Sequence, residues 1–494
     1  MLALSRSKYF AFLTGTVGGL LAGVGLSQGG VVFIWISTAC LWASMAFPSA
    51  VFLWGLFAIL LSYRWLLYLH PLTWIGVPIA FSLPIAILIW FSCGLLGGLL
   101  VALWSLIGQI PFFQRRLNSS TKDQLLYVIA LSLIWGLVEV GLAKSPFFWF
   151  GLGDSLLPYD RWLAGLARWF GSGGLAALQL ILGWWVWKII FAFKKGSPWL
   201  GLFALGVCSL LLAHCIGWIL LADNEFTSSK RIALWQTNIP TRQKFTLREL
   251  KRLPISLQDA LEEADNLGAD WMVAPEGTLS AGQNLLAPSP LPLLSGGFRR
   301  VKNKQMSSLL VFNEGSTSYS SAIDKHRLVP LGEWLPSLPG VNWNGLSFVG
   351  GVDPGDASRF FDWDGGPLAV AICYELSDGN NLAKAIFDGA EWILAIANLD
   401  PYPISLQRQF LALAQLRSIE SARNLISVAN TGPTSMILSS GKIKSIIEPF
   451  NEGVGVIDIN VSQKISGYVR WGEIPLISSL LIVLCFIARL KGKA

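Results

Sequence analysis

Long runs of apolar residues are the feature that most constrains how this chain folds. Runs close to the length needed to cross a lipid bilayer, about 20 residues, fill most of positions 9–221 and recur near the C-terminus. A backbone inside a bilayer must satisfy its polar groups internally, so such runs form helices. We expect seven spans before a soluble segment and one after it. The runs are 9–28, 31–46, 49–69, 79–109, 124–142, 163–192, 198–221 and 473–489.

Basic residues predict the orientation of these spans. The run 31–46 is short and could form half of a tight hairpin, but if it crosses the bilayer the main basic clusters share one side. Excess positive charge marks the cytoplasmic side. We therefore expect a multi-pass membrane protein, with both termini in the cytoplasm and the soluble segment outside, in a periplasm-like space. The clustered residues are Arg6, Lys8, Arg115, Arg116, Lys122, Lys194, Lys195, Arg489, Lys491 and Lys493.

Composition divides the chain in the same way. Charged residues make up only 14%, below the roughly 25% of an average soluble domain, and most of them lie in 223–470. The net charge of +7 comes without a Lys/Arg run interleaved with aromatic residues, so we expect no nucleic-acid partner. The predicted domains are a helical bundle over 1–222, a soluble domain over 223–470, and a final helix with a basic tail over 471–494.

Within the soluble segment, strand-like runs alternate with helical ones, a pattern typical of a layered α/β domain. The strand-like runs cover 231–239, 271–277, 307–315, 366–375, 391–399, 424–432 and 453–461, and the helical stretches cover 247–268 and 405–424.

Three side chains that could take part in catalysis lie at the ends of strand-like runs, where a loop begins. They are Glu276 in MVAPEG, Lys325 in SAIDKHRLVP and Cys373 in LAVAICYEL. A thiol, a carboxylate and an ammonium in such positions suggest covalent acyl chemistry. Each also has a structural interpretation taken alone: a helix cap for the glutamate, a solvated charge for the lysine and an inert buried thiol for the cysteine.

The remaining cysteines and histidines add little to this site. Five of the six cysteines lie in apolar runs, where a small apolar residue is the simpler interpretation. His326 is the one histidine of the soluble segment, and on a strand it points away from the face that carries Lys325. We expect no metal ion and no organic cofactor.

These residues carry a family resemblance that covers nearly the whole chain. A PE dipeptide, KHRLVPLGEWLP and AICYE together resemble the Glu-Lys-Cys triad of the nitrilase superfamily. The flanking apolar spans, the LWQTNIP that opens the soluble segment, and the region from Trp135 and Glu139 to SPFFWFGLGD narrow the match to the apolipoprotein N-acyltransferase family. That resemblance implies an αββα sandwich on a helical bundle of about eight spans.

The resemblance also implies an activity. A fatty acyl chain would pass from a membrane phospholipid, through a cysteine thioester, to the N-terminal amine of the diacylglyceryl-cysteine of an apolipoprotein. It implies that Glu276 is the base, that Lys325 and the backbone N–H of Tyr374 face the oxyanion, and that Cys373 is the nucleophile. Glu333 and Glu375 would hold Lys325 charged and in place, Trp235 and Asn398 would bind substrate, and the protein would act as a monomer.

The sequence departs from the family pattern at two places, and two other functions stay open. The family's Asn-Asp-Ala-Trp-Phe-Gly-like stretch is NLDPYPIS here, where only Asn398 remains, and the catalytic glutamate follows Ala-Pro instead of Trp-Pro. The alternatives are a membrane-anchored amidase that uses water as acceptor and a non-catalytic lipoprotein-binding protein. The apolar bundle favours a lipid ligand over the small polar amide that an amidase would hydrolyse. The intact triad argues against a non-catalytic binding protein.

Overall fold

A computed structural model describes residues 7–75, 77–110, 121–146, 148–222, 228–241, 243–244, 246–330, 333, 351–400 and 402–489. Arg6, Arg115, Arg116, Lys491 and Lys493, which the orientation argument used, lie outside these residues.

The described residues contain eight apolar helices, of which five are long enough to cross a membrane and three are shorter. This agrees with the expected number of spans. The helices before the soluble domain are α1 Lys8–Gln28, α2 Val31–Ser44, α3 Pro48–Ser62, α4 Ile79–Gln109, α5 Thr121–Lys144, α6 Ala167–Lys194 and α7 Leu200–Leu221. The soluble domain contributes α8 Leu247–Asn266, α9 Gly379–Phe387 and α10 Ile404–Ser421, and the last apolar helix is α11 Ile474–Arg489.

The short helix α2 returns the chain to the side of the bundle where α1 begins. Near its end, the Ser44 hydroxyl lies 2.8 Å from the Thr14 hydroxyl and 3.1 Å from the Ala11 carbonyl oxygen, both in the first half of α1. The close approach of α3 to α1 depends on glycine, since a Cβ at Gly15 would come within 2.2 Å of the Ala50 carbonyl oxygen. Small residues allow such backbone contact between membrane helices.

Two sheets of six strands each form the soluble domain, with strand orders β12-β1-β2-β3-β4-β5 and β11-β10-β9-β8-β7-β6. The first sheet contains β1 Ser228–Gln236, β2 Trp271–Leu279, β3 Leu293–Val301, β4 Lys304–Phe312, β5 Ser321–Asp324 and β12 Gly453–Val461. The second contains β6 Phe360–Phe361, β7 Leu368–Ile372, β8 Trp392–Ala397, β9 Leu425–Ala429, β10 Thr434–Ile437 and β11 Ile443–Ile447.

The two sheets face each other and helices cover both outer faces. Alternating side chains explain this arrangement, because successive strand residues point to opposite faces. On β1, Ile232 and Leu234 enter the core between the sheets, whereas Ala233 and Trp235 pack under α8. The other outer face is covered by α9 and α10. The αββα sandwich implied by the family resemblance is confirmed.

Helix α10 connects the sandwich to the bundle through hydrogen bonds with α1 and α6. The Gln409 side chain donates to the carbonyl oxygen of Leu26 in the last turn of α1, at 3.0 Å. The Glu420 carboxylate accepts from the backbone N–H of Ser172 in α6, at 2.8 Å. Lys8, Lys194 and Arg489 lie at the helix ends that point away from the sandwich. The described basic residues at these ends therefore share the side opposite the soluble domain.

Candidate active site

Glu276 lies on an irregular stretch of β2. The pairing of β2 with β3 shifts register between Ala274 and Leu279, and Gly277 takes a left-handed backbone with φ of 68°. Glycine adopts this conformation without the steric cost of a side chain. The irregularity turns the Glu276 carboxylate to where Lys325 and the loop after β8 reach it.

Lys325 follows β5 and joins two carboxylates. Its Nζ donates to Glu276 Oε1 and to Glu333 Oε1, both at 2.8 Å, and the side chain has no solvent exposure. Burial by itself lowers the pKa of Lys325, but the two carboxylates outweigh it and leave that pKa well above its ordinary value. The lysine is therefore a fixed positive charge inside the site.

Cys373 directly follows β7 and begins the turn Cys373–Ser377 with a left-handed backbone, φ 58°. A non-glycine residue in this region carries roughly 1–3 kcal/mol of strain, which the contacts around the turn must offset. Burial, and next the negative charge of Glu276, raise the pKa of the thiol, while Lys325 and the backbone N–H of Tyr374 act in the opposite direction. The thiol is neutral at rest, so a base must take its proton during the reaction.

Glu375 organises the backbone around the triad instead of holding Lys325, which corrects the sequence-based expectation. Its carboxylate accepts from the backbone N–H groups of Ile372 and His326, at 2.8 and 2.7 Å, and from the Arg359 guanidinium at 3.0 Å. One buried carboxylate thus ties the strand before the cysteine to the chain that follows the lysine. Glu333, in contrast, accepts a hydrogen bond from Lys325 directly.

The two residues expected to bind substrate have different positions. Asn398 contacts Glu276, since its backbone N–H donates to Glu276 Oε2 at 3.0 Å. Its side chain bonds to Thr241 and Asn430 within the protein. Trp235 is 3% exposed and packs in the core under α8, away from the triad, so its position indicates a packing role.

His326 stays outside the triad, because its ring Nδ1 lies 2.9 Å from the carbonyl oxygen of Gly355. The described residues hold no group of three or more His, Cys, Asp or Glu suited to a metal ion.

Sequence reasoning missed two residues at this site. Lys244 is 4% exposed, and its Nζ donates to the backbone oxygen of Glu276 at 3.2 Å. Burial lowers the pKa of Lys244 to about 8, although Glu276 and Asp400 oppose this. Tyr402 lies in the divergent NLDPYPIS stretch. Burial raises the pKa of its hydroxyl, the charges of Cys373 and Glu276 add to this, and Lys325 opposes it. One feature of the sequence could have identified Lys244 as a site residue. It lies in the loop after β1, and Glu276, Lys325 and Cys373 also lie on strands or directly after them.

The site faces the bundle. The Tyr374 hydroxyl donates to the carbonyl oxygen of Pro146, just beyond α5, at 2.9 Å. Arg327 donates to the carbonyl oxygen of Ala143, in the last turn of α5, at 2.8 Å. Aromatic rings continue from Tyr402 to Trp65, with ring centroids 5.5 Å apart, and from Trp65 to Phe148 at 5.7 Å. These contacts join the triad to the helices on the side of the membrane.

Beside these rings the bundle encloses an apolar cavity of about 190 Å³, lined by residues of α1, α3, α4 and α5 and by 149–152. Glu139 lines it but is paired, since its carboxylate accepts from Trp135 Nε1 at 2.8 Å and from the Leu152 N–H at 2.9 Å. This pairing favours a structural role for Glu139, and the remaining wall suits hydrocarbon.

Comparison with known proteins finds relatives that match this chain over nearly its whole length. The chain is 53% identical to the apolipoprotein N-acyltransferase of Prochlorococcus marinus (strain MIT 9313), over 97% of this chain and 96% of that protein. It is 48% identical to the apolipoprotein N-acyltransferase of Parasynechococcus marenigrum (strain WH8102), over 93% and 96%. It is 28% identical to that of Thermosynechococcus vestitus, over 92% and 89%. No protein-family model matches the chain.

Among solved structures, the chain is similar to a nitrilase-superfamily protein of Saccharomyces cerevisiae, with a TM-score of 0.35, 15% identity, and coverage of 48% of this chain and 91% of the other. It is also similar to the Nesterenkonia AN1 amidase of the nitrilase superfamily, with a TM-score of 0.37, 15% identity, and coverage of 51% and 98%.

Proposed function

Because the chain belongs to the apolipoprotein N-acyltransferase family, we propose that it acylates apolipoproteins by using Cys373 as a nucleophile that carries the acyl chain. The observation that carries the proposal is the buried Lys325, held at 2.8 Å from both Glu276 and Glu333 in the pocket that contains the thiol. This is a base, a fixed cation and a nucleophile in one water-poor pocket. Acyl transfer through a thioester needs these three groups.

In the first half-reaction, Glu276 takes the proton from the Cys373 thiol as sulfur attacks the ester carbonyl of a membrane phospholipid. The C=O becomes an oxyanion, which Lys325 and the backbone N–H of Tyr374 stabilise. The intermediate collapses by breaking the C–O ester bond, and Glu276 returns the proton to the departing alkoxide. The products are a lysophospholipid and an acyl thioester on Cys373.

In the second half-reaction, the N-terminal amine of the diacylglyceryl-cysteine of an apolipoprotein attacks the thioester. Glu276 accepts the proton that the amine nitrogen loses, and the C–S bond breaks when the second oxyanion collapses. The thiolate is then protonated by Glu276, which restores the resting site and leaves an amide on the lipoprotein. Protons and bonds balance over the two steps without a cofactor.

The roles of the surrounding residues follow from their contacts. Glu333 keeps Lys325 in position, Glu375 fixes the turn that bears Cys373, and the Asn398 N–H aims the Glu276 carboxylate. The apolar cavity in the bundle offers space for an acyl chain below the site. The pocket is buried, which strengthens each of these electrostatic contacts.

We further propose that the chain lies in the inner membrane with its catalytic domain, 223–470, in the periplasm, between a bundle of residues 1–222 and a final helix in 471–494. The described basic residues at the ends of α1, α6 and α11 lie opposite this domain, which by the positive-inside rule makes that side cytoplasmic. A single chain brings Glu276, Lys325, Glu333 and Cys373 together, which supports our proposal that the protein acts as a monomer.

The test is acylation of a synthetic diacylglyceryl-cysteine lipopeptide by the purified protein in phospholipid vesicles, followed by mass spectrometry. We expect the lipopeptide to gain one acyl chain by an amide bond. Cys373→Ala should abolish this gain, whereas Cys485→Ser, a matched thiol in the exposed face of α11, should retain it. Release of free fatty acid with no lipopeptide acylation would instead support a hydrolase.

A further inference from the structure

A second pocket lies where the last turn of α1 meets α10. Its volume is about 240 Å³, and it is lined by residues 25–29 of α1 and its end, by 150 and 157–159, and by one face of α10. Neither the triad nor Glu333 lines it. Leu26 and Phe150 line both this pocket and the apolar cavity of the bundle, so they form a wall between the two.

Two residues that line this pocket have a buried amide oxygen without a partner. Gln409 and Gln415 are 1% and 3% exposed. Their NH₂ groups are used, since Gln409 donates to the Leu26 oxygen and Gln415 to the Gly441 oxygen at 2.8 Å. Among the residues that the structure describes, neither Oε1 atom has a hydrogen-bond partner. A buried acceptor without a donor is unfavourable, so the pocket favours a ligand that brings hydrogen-bond donors.

A cation stands at the mouth of the same pocket. Arg408 is exposed, and Arg408, Ala412 and Gln415 follow one another at helical spacing along the face of α10 that lines it. The guanidinium group is suited to phosphate, which it can bind through two parallel hydrogen bonds. The pocket thus offers a site for an anion at its mouth and acceptors for a donor group further in.

The depth of the pocket indicates where its ligand comes from. Helix α1 has 21 residues and a length of about 31 Å, which matches the hydrocarbon core of a bilayer. Its end at Gln28 therefore lies at the level of the lipid headgroups. The mouth carries Tyr159, which is 61% exposed, and tyrosine is typical of this interfacial level.

We propose that this pocket binds the headgroup of a membrane phospholipid that is separate from the acyl donor at Cys373. Arg408 binds the phosphate, and the free amide oxygens of Gln409 and Gln415 accept from a hydroxyl or ammonium group of the headgroup. The bound lipid joins α1 of the bundle to α10 of the catalytic domain. Phosphatidylglycerol and phosphatidylethanolamine have both required features, whereas phosphatidylcholine has the phosphate but no donor.

The experiment measures lipid retention on the full-length protein by native mass spectrometry. The Cys373→Ala variant is used throughout, so that no lipid is consumed as donor and the result does not depend on the proposed activity. The protein is equilibrated with equal amounts of phosphatidylglycerol, phosphatidylethanolamine and phosphatidylcholine. Adding Arg408→Gln should lower retention of the first two about fivefold, the effect of one interfacial cation. Arg470→Gln changes an exposed arginine beside the start of α11, and this control should leave retention unchanged.

Adding Gln415→Leu should lower the preference for phosphatidylglycerol and phosphatidylethanolamine over phosphatidylcholine, because it removes an acceptor but not the phosphate site. Equal retention with and without the Arg408→Gln change, equal retention of the three lipids by the parent protein, or the same loss in the Arg470→Gln control would each overturn the proposal. Displacement of the bound lipid by an equal concentration of soluble glycerophosphate would also overturn it, since the ligand would then be a free phosphate compound.

Discussion

Replacing Lys325 with Met should stop thioester formation on Cys373. Methionine is similar in length but removes the cation that lies 2.8 Å from both Glu276 and Glu333. Loss of one oxyanion donor costs about 2.7–4 kcal/mol in the transition state, a factor of roughly 10²–10³ in rate. The variant also leaves two buried carboxylates without the cation that they share. We expect the rate to fall at least about a hundredfold.

The assay follows the first half-reaction alone. Protein is mixed with phospholipid in the absence of acceptor, and intact-protein mass spectrometry records the gain of one acyl chain over time. Hydroxylamine should remove the added mass, as expected for a thioester. An exposed lysine of α9, Lys384, provides the matched control, and Lys384→Met should form the adduct at the normal rate.

Folding must be separated from chemistry, because removing one partner of a buried ion pair costs about 3–5 kcal/mol of stability. The double variant Lys325→Met with Glu333→Gln removes one of the two carboxylates that the lysine had balanced. It should regain part of the thermal stability that Lys325→Met loses, yet still form no adduct at a useful rate. A normal rate of adduct formation in either folded variant would refute the role assigned to Lys325.

Three further predictions rest on the same structure. Cys373→Ser should insert and fold normally but lose acyl transfer, because the pKa of a hydroxyl is too high for Glu276 to deprotonate it; near-normal lipopeptide acylation would remove Cys373 from the mechanism. Reporter fusions after Leu221 and at the C-terminus should give opposite compartment signals, and identical signals would contradict the proposed orientation. Burial lowers the pKa of Lys244 to about 8 from 10.5, so the folded state binds fewer protons than the unfolded state between these values, and the free energy of unfolding rises with pH there. Thermal unfolding of the wild type relative to Lys244→Met, measured from pH 7 to pH 10 in detergent, should show this rise, and a flat or falling difference would show that Lys244 does not titrate as described.

The sequence alone predicted the elements that local patterns encode. Apolar runs predicted the helices because a bilayer leaves a backbone no other way to satisfy its polar groups. Short apolar runs that end at loops predicted β2, which carries Glu276, and β7, which Cys373 follows. The distribution of basic residues also predicted that α2 crosses the membrane. The basic clusters before and after it share one side only if the run 31–46 is a full span. The contacts of Ser44 with the first half of α1 agree with that prediction.

The contacts of the site depended on the tertiary structure. Glu375 was expected beside Lys325, but it bonds to Ile372, His326 and Arg359, and Trp235 packs under α8. Asn398 aims the base through its backbone N–H, a group that every residue except proline has and that no side-chain pattern can reveal.

Successive side chains along a strand point to opposite faces of a sheet, so the sequence alone shows which residues of one strand share a face. This alternation does not determine which faces meet. Lys244 and Glu276 lie 32 positions apart, and Glu276 and Asn398 lie 122 apart. Lys244 and Glu276 come together because β1 and β2 pair within one sheet. Glu276 and Asn398 meet because the two sheets pack face to face, and that packing depends on the shape and volume of many side chains at once. The sequence therefore predicted the apolar spans, seven of the twelve described strands and three candidate reactive groups, and the tertiary structure decided which other groups surround them.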